Sequence, residues 1–390
     1  MTTSAQLTGW AHTPFGRSSA PDVESLMGEV AAVAIADAGL DATDIGFVSV
    51  GVYGSGFSSQ SFDAALVGSA TPELAKVPAV RAENACATGS AALFAALDAV
   101  ASGRVRAALV IGAEKMTGVS GAEANEALLG ACLRRTEARY GSFAAIFAEL
   151  ARRYADRYGD QRPALARIAA KNHRNGVDNP YAHVRKDLGI EFCATESDRN
   201  PLVAAPLLRT DCSMISDGAA AVVVASADVA RTARRAVAWH GRAQANDPLA
   251  IDARADPLAF DGARRAFTAA LAEAGVSLAD LDLIETHDCF TQAELLQYEA
   301  FGLAEPGKGA TVLADGITHR DGSLPVNVSG GLKAKGHPIG ATGVSQHVMA
   351  AMQLVGEAGA MQLPRADRAA VFNMGGAAVA NFASVLEVAR

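Results

Sequence analysis

The chain has 390 residues, of which half are apolar and only 19% are charged. A chain of this length and composition can bury a large core and lacks the high charge that is typical of disordered proteins. The net charge of −8 argues against a surface for nucleic acid or for anionic lipid, because either partner requires a basic footprint. We therefore expect neither nucleic acid nor a membrane as a partner.

No segment of the sequence indicates export or membrane insertion. Residues 1–20 lack an apolar stretch behind a basic flank, and no later stretch reaches the roughly 18 uncharged apolar residues that a membrane span needs. An odd number of cysteines without a Cys-x-x-Cys pair favours reduced thiols over a disulfide framework. We expect a cytoplasmic protein in which each thiol is either inert or reactive. The five cysteines are Cys86, Cys132, Cys193, Cys212 and Cys289.

Helical periodicity alternates with short runs of β-branched residues along the chain. A helical pattern over 30–38 precedes an apolar run over 45–52, and a second one over 91–100 precedes a run over 107–111. Alternation of this kind predicts an α/β fold in which helices cover a sheet.

An internal repeat indicates that the chain consists of two halves of similar plan. Three segments of the first half match three segments of the second half in the same order, which favours duplication over chance. The matched pairs are 38–48 with 274–284, 87–89 with 341–343, and 106–110 with 368–372. The segments that follow Ala85 and Ile339 then occupy equivalent places, and we expect them to meet.

The stretch between residues 120 and 200 is the least repetitive part of the chain and is rich in arginine and lysine. It is predicted to be a charged helical insertion. Two interpretations stay open for its arginines: a solvated face with paired acids such as Glu149 and Asp156, or a cationic patch for a phosphorylated ligand.

Cys86 is the first candidate for chemistry. It follows an extended segment over 78–81 and directly precedes an Ala- and Leu-rich helix, so it should lie at the amino terminus of that helix. The exposed N–H groups and the helix dipole would lower the thiol pKa and make Cys86 a nucleophile near neutral pH. The alternative is an inert thiol buried among alanines.

His337 is the second candidate, in a segment over 327–343 that contains five glycines. Glycine lets the backbone approach a ligand closely, and Pro338 fixes the chain just after the histidine. Since the repeat places His337 near the equivalent of Cys86, it could take the thiol proton and then stabilise an oxyanion as a donor. A purely structural histidine is the alternative.

His287 and Cys289 form the third candidate group, at the carboxyl end of a predicted strand over 281–284, where α/β sheets place functional groups. A paired acid/base role explains them most economically. No second pair has metal-ligand spacing, so we expect no metal. The sequence also lacks a Gly-x-Ser-x-Gly elbow and a P-loop, and its Gly-rich run over 51–56 gives weak support for a nicotinamide cofactor.

With these segments in hand, the chain resembles the thiolase superfamily over essentially its whole length, most closely the sterol-carrier-protein-type and archaeal-type thiolases. The combination of motifs in this order is specific, although each piece alone is moderate evidence. Besides the Cys86 segment, the motifs lie at 13–17, 171–175, 211–220, 287–290 and 336–340.

The resemblance implies a five-layer α/β/α/β/α fold with two duplicated halves, 1–235 and 236–390. A loop domain at about 118–205, which covers coenzyme A in the family, would be inserted in the first half. The resemblance also implies a homodimer or a tetramer.

The resemblance further implies a role for each candidate residue. Cys86 would carry the acyl group, and His337 would activate it and contribute to an oxyanion hole. Many thiolases have a second catalytic cysteine in a Cys-x-Gly-Gly segment, but here that segment, 373–376, reads Asn-Met-Gly-Gly. Cys289 would take over the acid/base duty of the missing thiol, as in the sterol-carrier-protein type, with His287 beside it as a further catalytic residue.

Backbone and substrate contacts are implied in the same way. The N–H of Gly375 would join that of Cys86 in a second oxyanion hole. The implied substrate-binding residues are Asn327, Ser329, Gly330 and Met116.

The implied activity is reversible thiolytic cleavage of a 3-ketoacyl-CoA, or the reverse Claisen condensation, through a cysteine thioester. Acyl-CoA and CoA would be the substrates, with no further cofactor. Three alternatives stay open: a C-acyltransferase or condensing subunit that depends on a small partner, possibly with an OB-fold; a non-catalytic lipid carrier or scaffold; and an aldolase that does not need the nucleophilic cysteine.

Overall fold

The computed structural model describes residues 5–389, so residues 1–4 and 390, the outer ends of the two predicted halves, lie outside the described residues. The strands of the described part are β1 (Ala5–His12), β2 (Phe47–Gly51), β3 (Ala79–Ala82), β4 (Ala107–Glu114), β5 (Leu202–Ala204), β6 (Leu207–Leu208), β7 (Gly218–Ser226), β8 (Val237–Asn246), β9 (Leu283–Glu285), β10 (Arg368–Gly375) and β11 (Ala380–Val388). The helices are α1 (Val23–Asp37), α2 (Asp63–Ala70), α3 (Thr88–Ala101), α4 (Gly121–Leu128), α5 (Arg134–Glu137), α6 (Phe143–Tyr158), α7 (Arg162–Gly176), α8 (Ile190–Ala194), α9 (Ala227–Ala230), α10 (Asp261–Ala274), α11 (Thr291–Ala300), α12 (Gly309–Ala314), α13 (Gly331–Lys335) and α14 (Ile339–Leu354).

The main sheet contains the same strand arrangement twice. Its order is β3-β2-β4-β7-β1-β8-β11-β10-β9. In the first half β2 runs parallel to β4 and β4 antiparallel to β7, and in the second half β9 runs parallel to β10 and β10 antiparallel to β11. Only two residue pairs, between β1 and β8, join the two halves of the sheet. The topology confirms the predicted duplication; the exact boundary at residue 235 stays a prediction.

The strongest sequence match, 38–48 with 274–284, corresponds to the same local structure in both halves. Each copy is a helix end, a short turn and a buried strand, α1 to β2 and α10 to β9. In the first turn the carboxylate of Asp44 accepts the N–H of Asp41, and in the second turn Asp280 accepts the N–H of Ser277 in the same way. The turn chemistry is therefore duplicated along with the apolar pattern.

Apolar residues on alternate faces of the strands separate the molecule into five layers. On β7, Val222 and Val224 pack with the central helices α3 and α14, whereas Ala221 and Val223 pack against α1 on the outer face. Helices α10 and α11 cover the outer face of the second half of the sheet. The predicted α/β/α/β/α layering is confirmed.

Helices α3 and α14 cross at their amino-terminal ends with almost no space between them. A Cβ atom on Gly89 of α3 would lie 2.8 Å from the carbonyl oxygen of Gly340 and 2.9 Å from the nitrogen of Gly343, both on α14. Cys86 and His337 each lie two residues before the first residue of one of these helices. The crossing therefore brings the two residues together, as the repeat predicted.

The insertion between β4 and β7 contains α4 to α8, and its helices α6 and α7 pack against α11 of the second half. Most of its arginines are paired with acids, which confirms a solvated, ion-paired face. The pairs are Arg134 with Glu126, Arg139 with Asp252, Arg152 and Arg153 with Glu149, Arg157 with Asp256, Arg162 with Asp211, and Arg174 with Asp187. Within residues 5–389, no helix is both long and apolar enough to cross a bilayer.

Candidate active site

Cys86 lies in the tight turn between β3 and α3. Ala85 has a left-handed backbone with φ of 49°, and the N–H of Asn84 donates to the hydroxyl of Thr88 at 2.9 Å, which ties the turn to the first residue of the helix. The thiol is 4% exposed. Its apolar surroundings include Tyr53, Phe57, Met116 and Ile339. Of the predicted substrate-binding residues, Met116 therefore lies beside the cysteine.

Three of the four predicted catalytic side chains meet in one buried cluster. The sulfur of Cys86 and one ring nitrogen each of His287 and His337 all lie within 4.8 Å of one another. The two imidazole rings are nearly perpendicular, with centroids 5.0 Å apart. Cys86 belongs to the first half, whereas both histidines belong to the second half, so the cluster exists only where the halves pack together.

Hydrogen bonds fix the proton of His337. The hydroxyl of Thr342 donates its only proton to the carbonyl oxygen of Pro338 at 2.9 Å, so it accepts from Nδ1 of His337 at 2.6 Å. Burial lowers the pKa of His337 to about 3, which keeps the ring neutral. Since the single proton is on Nδ1, the lone pair of Nε2 is free to accept a proton from the thiol.

Burial raises the pKa of the Cys86 thiol to about 12, which corrects the expected lowering at the helix terminus. The backbone N–H groups of Gly376 and of Cys86 itself favour the thiolate, but loss of solvent around the sulfur outweighs them. The resting cysteine is therefore a neutral thiol, and it needs a base at the moment of attack.

Cys289 lies next to this cluster, 2% exposed among apolar groups such as Phe290. Its pKa is raised well above the usual value, first by burial and then by the nearby sulfur of Cys86. A charge on one sulfur is thus felt by the other, which requires the two thiols to be close. Cys289 is a neutral thiol with a proton to give, and its catalytic role stays a prediction.

Three predicted substrate-binding residues are bonded within the protein. The amide of Asn327 accepts the N–H of Thr286 at 2.8 Å and donates to Glu294 at 2.9 Å, while the hydroxyl of Ser329 donates to Glu285 at 2.6 Å. Gly330 is in a turn with φ of 92°. Their side chains hold the backbone that leads to His337, and this placement gives a direct substrate contact no support.

The glycine N–H that faces the sulfur is that of Gly376, one residue beyond the predicted Gly375. Gly375 ends β10 opposite Ala380, and a Cβ atom there would collide with the carbonyl oxygen of Asn84. Its oxyanion role stays a prediction. The sequence shows two adjacent glycines, and no pattern tells which one turns its N–H towards Cys86.

Glu114 is a residue that the sequence analysis missed. It is buried at the end of β4, and its carboxylate accepts the N–H groups of Tyr53 and Gly54 at 2.9 Å and that of Gly340 at 3.0 Å. It therefore joins the wall of the Cys86 pocket to the first turn of α14. A lone glutamate at the end of an apolar strand carries no sequence signal for this task.

By distance alone, the cluster of Cys86, His287 and His337 could also hold a metal ion, because imidazole and thiolate are common zinc ligands. Whether it can do so depends on which ring nitrogens carry protons.

Family models match both halves of the chain. The model described as "Thiolase, N-terminal domain" matches residues 7–228, and the one described as "Thiolase C-terminal domain-like" matches residues 243–388.

Curated relatives extend over most of the chain. It is 37% identical to acetyl-CoA acetyltransferase of Methanothermobacter thermautotrophicus over 371 residues, which make up 94% of this chain and 95% of that protein. It is 32% identical to sterol carrier protein 2 of Homo sapiens over 375 residues, 92% of this chain and 67% of that protein.

Two solved structures have a similar fold. The "Ltp2-ChsH2(DUF35) aldolase" superposes with a TM-score of 0.85 at 23% identity, over 100% of this chain and 99% of that chain. A monomeric SCP2-thiolase like protein type 1 from Mycobacterium smegmatis superposes with a TM-score of 0.75 at 19% identity, over 99% and 77% of the two chains. At these identities the likeness shows the fold alone.

Proposed function

The chain belongs to the thiolase family, and from that premise we propose that it transfers acyl groups between coenzyme A thioesters through a thioester on Cys86. The reaction is cleavage of a 3-ketoacyl-CoA by CoA, or the reverse Claisen condensation. The observation that carries the proposal is a neutral Cys86 thiol in one buried cluster with a histidine whose Nε2 lone pair is free. That pairing is the arrangement an activated cysteine nucleophile needs.

In the first half-reaction, Nε2 of His337 takes the Cys86 proton as the sulfur attacks the 3-keto carbon. The bond between C2 and C3 then breaks, and its electron pair leaves as the enolate of acetyl-CoA. The thiol of Cys289 protonates that carbon, which leaves an acyl group on Cys86, an imidazolium at His337 and a thiolate at Cys289.

In the second half-reaction, free CoA restores all three groups. The Cys289 thiolate takes the CoA proton, the CoA sulfur attacks the thioester, and the departing Cys86 sulfur recovers its proton from His337. The raised pKa of Cys289 supports this part, because a buried thiol that holds its proton tightly is a donor in the first half and a strong base in the second.

Turnover by the isolated protein tests the proposal. We expect acetoacetyl-CoA plus CoA to give acetyl-CoA, and Cys86→Ala to abolish the reaction in both directions because no other group can carry the acyl chain. Cys193→Ala is the matched control, since Cys193 is also completely buried but packs in a separate cluster of alanines. Wild-type turnover by Cys86→Ala would refute the proposal.

The division of labour between the two thiols gives a second prediction. In Cys289→Ala the methyl protons of acetyl-CoA should stop exchanging with solvent, because the group that moves the proton at carbon is missing. Acylation of Cys86 should persist, since it requires only the sulfur and His337. Deuterium exchange followed by NMR measures the first step, and peptide mass spectrometry measures the second. Exchange at the wild-type rate in Cys289→Ala would remove Cys289 from the mechanism.

A partner-dependent C-acyltransferase is the alternative function, because one solved structure with this fold is titled as a complex of two named components. It predicts that the isolated protein accepts an acyl group on Cys86 but does not turn over until a small partner is added. A scaffold or lipid carrier predicts no acylation at all. The buried cluster of one thiol and two imidazoles favours catalysis over a scaffold, since a carrier has no use for it.

A further inference from the structure

Asn373 connects Cys86 with His287 from within the sheet. It lies on β10 and is completely buried. Its side-chain nitrogen donates to the carbonyl oxygen of Cys86 at 3.1 Å and lies 2.9 Å from Nδ1 of His287. Because the Cys86 carbonyl oxygen can only accept, that bond fixes which end of the amide is the nitrogen. The same nitrogen can offer His287 only a hydrogen.

This contact decides which ring nitrogen of His287 carries the proton. Burial, and then the neighbouring His337, lowers the pKa of His287 well below its usual value, so the ring is neutral. A neutral imidazole has one N–H and one lone pair, and Nδ1 must hold the lone pair because it faces the N–H of Asn373. The proton of His287 is therefore on Nε2.

The two histidines consequently offer opposite groups to the sulfur. Nδ1 is engaged in both rings, by Thr342 in one and by Asn373 in the other. Nε2 is buried in both and has no hydrogen-bond partner among residues 5–389. At His337 this atom is a lone pair, whereas at His287 it is an N–H. One ring can accept the thiol proton, and the other can donate to an oxygen that gains negative charge.

We propose that Asn373 is a positioning residue that keeps the proton of His287 on Nε2, where the N–H donates to the carbonyl oxygen of the acyl group on Cys86. The inference rests on the proposed function and assigns His287 to oxyanion stabilisation instead of proton transfer. A donor that is protonated before the reaction need not reorganise as charge develops, which is the source of oxyanion-hole catalysis.

The same proton placement opposes a metal ion in this cluster. A metal ligand must present a lone pair, and Nε2 of His287 presents a hydrogen as long as Asn373 donates to Nδ1. Binding of zinc by all three side chains would require the ring to exchange its proton between the two nitrogens and to lose the bond to Asn373.

Nitrogen NMR of the free protein with labelled histidine tests the tautomer directly. The His287 resonances are assigned by their loss in His287→Ala. We expect Nε2 protonated and Nδ1 unprotonated in the wild-type protein, and a shifted Nδ1 resonance in Asn373→Leu, which has a similar volume but no donor. Asn381→Leu is the matched control, because Asn381 is a buried strand asparagine that donates only to backbone carbonyls. It should leave the His287 spectrum unchanged.

Kinetics supply a second readout on the full-length protein. Asn373→Leu should lower kcat for thiolysis roughly 100- to 1000-fold, the usual cost of losing one oxyanion donor, while KM changes little. The proposal is overturned if wild-type His287 carries its proton on Nδ1, or if Asn373→Leu folds and keeps the wild-type kcat. The wild-type spectrum decides the matter even if Asn373→Leu does not fold. Since the tautomer is measured without substrate, absence of thiolysis in the wild type would refute the proposed function and leave this measurement intact.

Discussion

Two opposing effects act on the Cys86 sulfur, and their magnitudes decide its resting state. The helix terminus behind it contributes about 0.3–1 kcal/mol, and at most about 2 kcal/mol, in favour of a thiolate. The rise in the Cys86 pKa from 9.0 to about 12 corresponds to about 4 kcal/mol in favour of the thiol. Burial therefore outweighs the dipole, and His337 has to remove the proton during attack.

A titration of the thiolate absorbance checks this balance. The difference between wild type and Cys86→Ala should show no ionisation step between pH about 6 and pH about 9, because the raised pKa keeps Cys86 protonated throughout this range. An ionisation step near neutral pH would mean that the dipole or an imidazolium stabilises the thiolate after all.

At the scale of secondary structure, the site depends on how strand ends are tied to the first turn of α14. Glu114, the last residue of β4, accepts N–H groups from the segment after β2 and from Gly340. Gly340 itself fits only because it lacks a side chain: a Cβ atom there would collide with the carbonyl oxygens of Ala113 and Gly51. The position of His337, three residues earlier, follows from this anchor.

Removal of the anchor should therefore reduce stability. We expect Glu114→Ala to lower the free energy of unfolding by about 2 to 4 kcal/mol at pH about 5, since three buried N–H groups lose their acceptor. Urea denaturation measures this loss. The matched control is Glu126→Ala, an exposed glutamate that pairs with Arg134, which should leave the unfolding free energy unchanged.

The pH dependence of this difference has a definite sign. Burial raises the pKa of Glu114 from 4.5 to about 7, so the folded protein binds this proton more tightly than the unfolded chain does. Its contribution to stability is full below pH about 4.5 and is lost as the pH rises through about 7. The gap between wild type and Glu114→Ala should narrow over that range. A gap that widens would contradict the assignment.

At the scale of the whole molecule, catalysis requires that two duplicated halves pack without a gap. Cys86 comes from one half and its histidines from the other, and the crossing of α3 and α14 sets the distance between them. Gly89 is the closest point of that crossing. A methyl group at this position must move one helix relative to the other.

We therefore expect Gly89→Ala to lower the free energy of unfolding by about 1 to 3 kcal/mol, the usual cost of overpacking, and to slow acylation of Cys86 as well. Gly121→Ala is the control, because Gly121 begins α4 with no neighbouring atom within 4 Å of an added Cβ. Denaturation and a single-turnover acylation assay measure both effects. Unchanged acylation in a folded Gly89→Ala variant would show that the crossing does not set the geometry of the site.

The sequence predicts this arrangement only where it contains a pattern. The repeat places the segments of Cys86 and His337 in equivalent positions, and the structure confirms that they meet. The raised pKa of Cys86 was not predictable, because burial depends on side chains from both halves. The tasks of Asn373 and Glu114 were also not predictable, since each is a single polar residue in an apolar strand and its partners are distant in the chain.

Mass spectrometry of the protein after incubation with acetyl-CoA tests the central claim most directly. The account predicts one acetyl group per chain, carried by the peptide that contains Cys86, removed by free CoA and absent from Cys86→Ala. An unmodified Cys86 peptide, or an acetyl group that persists in Cys86→Ala, would contradict it.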